Sequence, residues 1–192
     1  ARVVEGGCAS TLAFELSDGP ARIVVNCGGA RATLPTLPRA LVEGLRTTAA
    51  HSTLTLADTN STAVHADGTL GRGVAEVELS RQESENASRI EASHDGYVRR
   101  HGFVHRRQLI LTGDGKELRG EDVLLPKGRG SRRPGPTSFA IRFHLGRGVE
   151  ASPTADGLGA VLRVPGGALW QFRTRGGSLA IDESLWIDGE GR

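Results

Sequence analysis

Three features of the sequence predict an all-β chain folded as a large antiparallel β-sandwich, a supersandwich of about a dozen strands. Apolar and polar residues alternate over short stretches, as at Leu12, Phe14 and Leu16 or at Leu54 and Leu56. A period of two is what a half-buried strand requires. Turn signals such as Asp18-Gly19, Gly113-Asp114-Gly115, Gly166-Gly167 and Gly176-Gly177 punctuate these stretches. No amphipathic helical pattern continues for about ten residues or more.

The elements follow in order. Residues 10–27 read as a hairpin about a two-residue Asp18-Gly19 turn, which sets Phe14 opposite Ile23, Leu12 opposite Val25 and Glu15 opposite Arg22. That register puts Cys27 across from Ser10, so a bridge to Cys8 would need a bulge. Residues 28–46 carry Gly28-Gly29, Pro35 and Pro38 and read as a long connection with one helical turn near residues 40–45. Leu54 and Leu56 mark a strand with His51 at its entry, and a short strand follows at 62–65. Alternation returns at 73–79, 87–92, 103–111 and 117–125, and again at 138–145, 160–164, 169–173 and 178–187. Asp95-Gly96 reads as a hairpin turn. The Gly/Pro-rich basic stretch 127–136 reads as a loop.

Composition excludes several functions. With 192 residues the chain can bury a core without disulfide staples. The formal charge is only +2 and aromatics make up 4% of the residues, a poor basis for nucleic-acid binding. Positive charge is nevertheless uneven, with seven basic against two acidic side chains from Arg119 to Arg147. Such a local field suits an anionic polymer or a solvated loop. No apolar run approaches the roughly 18 residues that would span a bilayer. The chain lacks methionine entirely and reads as a fragment of a longer polypeptide.

Titratable groups concentrate between His94 and Arg107, a segment with three of the six histidines and the single tyrosine. If the chain carries chemistry, this segment, with His94, Tyr97, His105 and Arg107, is where it is expected, because clustered titratable groups mark sites. The competing reading makes Tyr97 a core aromatic and the histidines and arginines strand-face residues.

The blocks Leu12-Ala13-Phe14-Glu15-Leu16, Ile23-Val24-Val25-Asn26-Cys27-Gly28, Ala49-Ala50-His51-Ser52-Thr53-Leu54, His94-Asp95-Gly96-Tyr97, His105-Arg106-Arg107 and Arg119-Gly120-Glu121-Asp122 resemble, in order and spacing, the C-terminal domain of heparinase II/III-like proteins. The resemblance covers nearly the whole chain. It implies an antiparallel sandwich, residues 1–192, behind an N-terminal α/α toroid, with a cleft between them that cleaves uronate-containing acidic polysaccharides, glycosaminoglycans among them, by β-elimination. It also implies a periplasmic or cell-envelope setting. In such a site a Tyr/His pair serves as base and acid, and Arg or Asn neutralises the carboxylate. The resemblance offers His51, Tyr97, His94 and His105 as catalytic residues and Asn26 and Arg107 as substrate-binding ones.

Metal-containing relatives place His, Asp and His at the positions that Cys8, Asn26 and His51 occupy here. An Asn is a poor zinc ligand, so the metal site reads as degraded and no cofactor is expected. His51 is then either a structural histidine or a survivor of the family site. Two functions stay open: the sandwich half of a polysaccharide lyase, and a catalytically silent carbohydrate-binding or structural domain.

Overall fold

A computed structural model describes residues 7–28, 37–67, 69–127 and 137–187. The described residues form twelve strands and two short helices: β1 (Leu16–Asp18), β2 (Ala21–Val25), α1 (Arg39–Gly44), β3 (Leu54–Leu56), β4 (Val77–Glu83), β5 (Ala87–His94), α2 (Val98–His101), β6 (Phe103–Thr112), β7 (Leu118–Pro126), β8 (Phe139–Ile141), β9 (His144–Leu145), β10 (Glu150–Pro153), β11 (Gly159–Arg163) and β12 (Leu169–Arg173). The all-β architecture is as the alternation predicts. Every strand pair is antiparallel.

The strands divide among four sheets, ordered β1-β2-β9, β10-β11-β12, β3-β8 and β4-β5-β6-β7. The first two pack face to face: Ile23 and Val24 meet Ala160, Leu162 and Val164, with Phe14, Trp170 and Phe172 around them. A second core joins the other two sheets, where Leu54, Leu56 and Tyr97 pack with Phe103, Leu124 and Ile141. A third, smaller cluster sets α1 against the end of β2 through Leu41, Leu45, Cys27 and Ile187. Leu54 and Leu56 on β3, and Ala160 and Leu162 on β11, are two apart and share a buried face, whereas β2 buries Ile23, Val24 and Val25 in succession.

The first hairpin departs from expectation. Asp18 pairs with Ala21, so the turn is Gly19-Pro20, and a bulge shifts the register between Ser17 and Leu16, which pairs with Val24. Gly19 has φ +55°, which glycine takes at no steric cost. Leu12, at φ +60°, lies outside the strand altogether. The predicted Glu15–Arg22 contact forms nonetheless, at 2.6 Å, because side chains that long bridge the altered register. No disulfide joins Cys8 to Cys27.

Asp95-Gly96 is likewise not a tight hairpin turn. The connection runs through α2 to Gly102 at φ +76°, and the Asp95 carboxylate accepts the N–H groups of Ala75 and Glu76 at 2.8 and 3.1 Å. The short strand expected at 62–65 is reduced to one bridge between Val64 and Leu70. Residues 178–187 run without a regular strand. Of the basic loop expected at 127–136, residues 128–136 lie outside the described residues.

Candidate functional site

The long meander β4-β5-β6-β7 brings the candidate residues together. Cross-strand pairing sets His94 opposite His105 and Arg107 opposite Asp122. Because His105 and Arg107 are two apart on β6, both project to one face, the face that packs on β3. The result is a line of polar groups sunk into the second core.

Hydrogen bonds connect the line end to end. The Gly96 N–H donates to His94 Nδ1 at 3.0 Å. His94 Nε2 lies 3.2 Å from His105 Nδ1, and His105 Nε2 lies 2.6 Å from Asp122 Oδ1. Arg107 closes the line with a two-pronged grip on Asp122, Nε to Oδ1 at 2.8 Å and Nη2 to Oδ2 at 3.0 Å. Its Nη1 donates to the carbonyls of Leu12 and Ser52 at 2.9 and 2.8 Å. The guanidinium also lies over the Phe14 ring, 5.4 Å from its centre.

The donors at the ends dictate the protons between them. Since Gly96 donates to Nδ1 of His94, the neutral ring carries its proton on Nε2 and donates to His105 Nδ1. His105 must then carry its own proton on Nε2 and donate it to Asp122. Burial, reinforced by His105, lowers the His94 pKa to about 4. For Asp122 burial works the other way, but hydrogen bonds from His105 and Arg107 outweigh it and hold the carboxyl below its ordinary value.

Tyr97 stands beside this line, its ring 5.4 Å from that of His94. Its hydroxyl donates to the Leu54 carbonyl at 2.8 Å, and burial raises its pKa to about 12. Relative exposures are 2% for His94, 1% for Tyr97, 0% for His105 and 4% for Arg107. All four candidates are thus brought together, and all four point inward.

Asn26 and His51 occupy a different place, where β2 meets the 3-10 turn Thr48–Ala50. The Asn26 amide oxygen accepts the Ser52 N–H at 2.9 Å, and its amide nitrogen donates to Glu15 at 3.1 Å. Ser52 Oγ donates in turn to the Val25 carbonyl at 2.6 Å. His51 Nδ1 donates to the Thr47 carbonyl at 2.8 Å, and burial lowers its pKa against the opposing effect of that bond. The side chain is buried. A zinc ion does not fit this donor set, because the Asn26 oxygen is committed to a backbone N–H and its nitrogen cannot ligate. Among the described residues no three His, Cys, Asp or Glu side chains converge as a ligand group.

Asp122, which the sequence offers only as the end of the Arg119-Gly120-Glu121-Asp122 block, is the remaining member of the buried line. The turn signal comes within one residue of showing it: a three-residue Gly113-Asp114-Gly115 loop would set Arg107 opposite Glu121, but the loop takes in Lys116 as well, Thr112 faces Glu117, and Arg107 pairs with Asp122.

The family model for the heparinase II/III-like C-terminal domain matches residues 1–192, and the chain belongs to that family. It is also 32% identical over 203 residues to the FtsZ-localized protein C of Caulobacter vibrioides (strain NA1000 / CB15N). That alignment covers 94% of this chain and 32% of the relative, so the chain spans about a third of the relative's length. No solved structure matches the chain.

Proposed function

We propose that this chain is a β-sandwich binding or scaffold module that performs no β-elimination of its own, in a protein working at the bacterial cell envelope. One observation carries this reading: Tyr97, His94, His105 and Arg107 are turned into the core, and each spends its polar atoms on partners within the chain. A general base must come within hydrogen-bond reach of the proton it removes. A tyrosine pushed up to about 12 and donating to a carbonyl is a poor candidate for that task. In this reading the line from Gly96 to Arg107 holds β5, β6 and β7 in register, Asn26 and His51 brace β2 against the 3-10 turn, and no metal is needed. Acidic polysaccharide remains the ligand class that family membership supports. The similarity to a protein named for its localisation with FtsZ directs attention to the division site.

The second reading is the lyase. A family match over the full 192 residues favours it, and it requires an N-terminal α/α toroid to supply the catalytic groups. A uronate product carries a conjugated double bond, so ultraviolet absorbance follows the reaction directly. The parent protein, incubated with a panel of uronate polymers, gives no absorbance rise under the module reading while retaining polymer binding in a pull-down. A fluorescent fusion of the parent gathers at the division site. Absorbance rising on any polymer contradicts the module reading, as does a diffuse fusion for the proposed location.

A further inference from the structure

A second polar cluster, away from the buried line, has the geometry of an activated nucleophile. His144 opens β9 and pairs with Val25 of β2. Its Nε2 lies 2.9 Å from the Ala49 carbonyl, which only accepts, so Nε2 bears the proton and Nδ1 presents a lone pair. Ser184 Oγ lies 2.8 Å from Nδ1. The Cys27 Sγ is 3.2 Å from the same nitrogen and 3.6 Å from Ser184 Oγ.

The two candidate nucleophiles differ in access. Cys27 is buried, and burial pushes its thiol up from the ordinary value. Ser184 is exposed, yet it is held three residues from an anchor, the Ile187 N–H donating to the Cys27 carbonyl at 3.0 Å. Burial, against the effect of the Ala49 bond, lowers the His144 pKa and leaves the ring a neutral base near pH 7. Nothing in the module reading above uses these groups.

We infer that Ser184, His144 and the Ala49 carbonyl act as nucleophile, base and orienter, and that Ser184 takes acyl groups from carboxylic esters. The Ser184 oxygen forms a bond to the ester carbonyl carbon while its proton passes to His144 Nδ1. The carbon–oxygen bond to the alcohol then breaks, and the departing alkoxide takes that proton from His144. Acyl-Ser184 remains, and water attacking through the same base returns the free hydroxyl and a carboxylic acid.

A fluorophosphonate probe, which reacts at activated serines by the same attack, tests this on the purified chain. Mass spectrometry is expected to map one adduct to Ser184, and p-nitrophenyl acetate to release nitrophenol. Ser184→Ala abolishes both, and His144→Gln slows labelling by about 100-fold, the lower end of what a positioned base contributes. Ser184 is exposed, so its variant keeps the fold; should His144→Gln unfold, the adduct map and Ser184→Ala decide alone. An adduct on Cys27, equal labelling of Ser184→Ala, or no labelling overturns the inference. None of these outcomes depends on polysaccharide binding, so the module reading stands or falls separately.

Discussion

Asp122 carries more of the buried line than any other residue, because it is the one anion between a histidine and an arginine. Removing one partner of a buried charged pair leaves the other uncompensated, at a cost of roughly 3–5 kcal/mol. Asp122→Asn is therefore expected to lower stability by about that amount in urea denaturation. Tyr97→Phe loses the hydroxyl and its bond to the Leu54 carbonyl, and is expected to cost about 1–2 kcal/mol in the same measurement. His94 contributes a pH dependence with a definite sign. Its pKa is about 4 in the fold against 6.5 ordinarily, so between those values the unfolded chain binds a proton that the folded chain refuses. Stability is complete above about pH 6.5 and falls as the pH drops toward about 4, by on the order of 3 kcal/mol. The lowered Asp122 adds a loss of the same sign at lower pH. Denaturation midpoints measured at several pH values check this, and His94→Asn is expected to flatten the slope.

At the scale of elements, legibility followed the turns. Where the loop is short and local, as at Gly113-Asp114-Gly115, the turn locates the β6–β7 hairpin, and the one further loop residue, Lys116, sets the register that pairs Arg107 with Asp122. Where the chain bulges, local rules fail: the shift between Leu16 and Ser17 moves the register of β1 and β2, while Glu15 still reaches both Arg22 and Asn26, seven and eleven residues away. The α2 connection was illegible for a similar reason, since Asp95 caps the N–H groups of Ala75 and Glu76 some twenty residues away. The close approach of Gly28 to the Ile187 carbonyl could not be read from sequence either. Gly28 has φ +102°, and a Cβ there would meet that carbonyl. Gly28→Ala is expected to cost at least about 2 kcal/mol and to loosen residues 184–187, detectable as faster amide exchange there.

For the whole molecule, the fold class was readable because alternation and turn signals report burial of one face regardless of which sheets pair. The assignment of strands to four sheets was not, because it rests on contacts such as β2 with β9 and β3 with β8 that lie far apart in sequence. The candidate site was half legible. His94, Tyr97, His105 and Arg107 do cluster, but whether a cluster faces a cleft or a core is decided by the layer packed upon it, here β3 with Leu54 and Leu56. The burial of these residues supplies the argument that they hold the sandwich together. The most direct measurement is ultraviolet absorbance of the parent protein acting on uronate polymers, alongside its Tyr97→Phe and His105→Gln variants. No product is expected from any of the three, with a loss of stability in the variants. Product from the parent that disappears in a folded Tyr97→Phe or His105→Gln variant would contradict a catalytically silent domain.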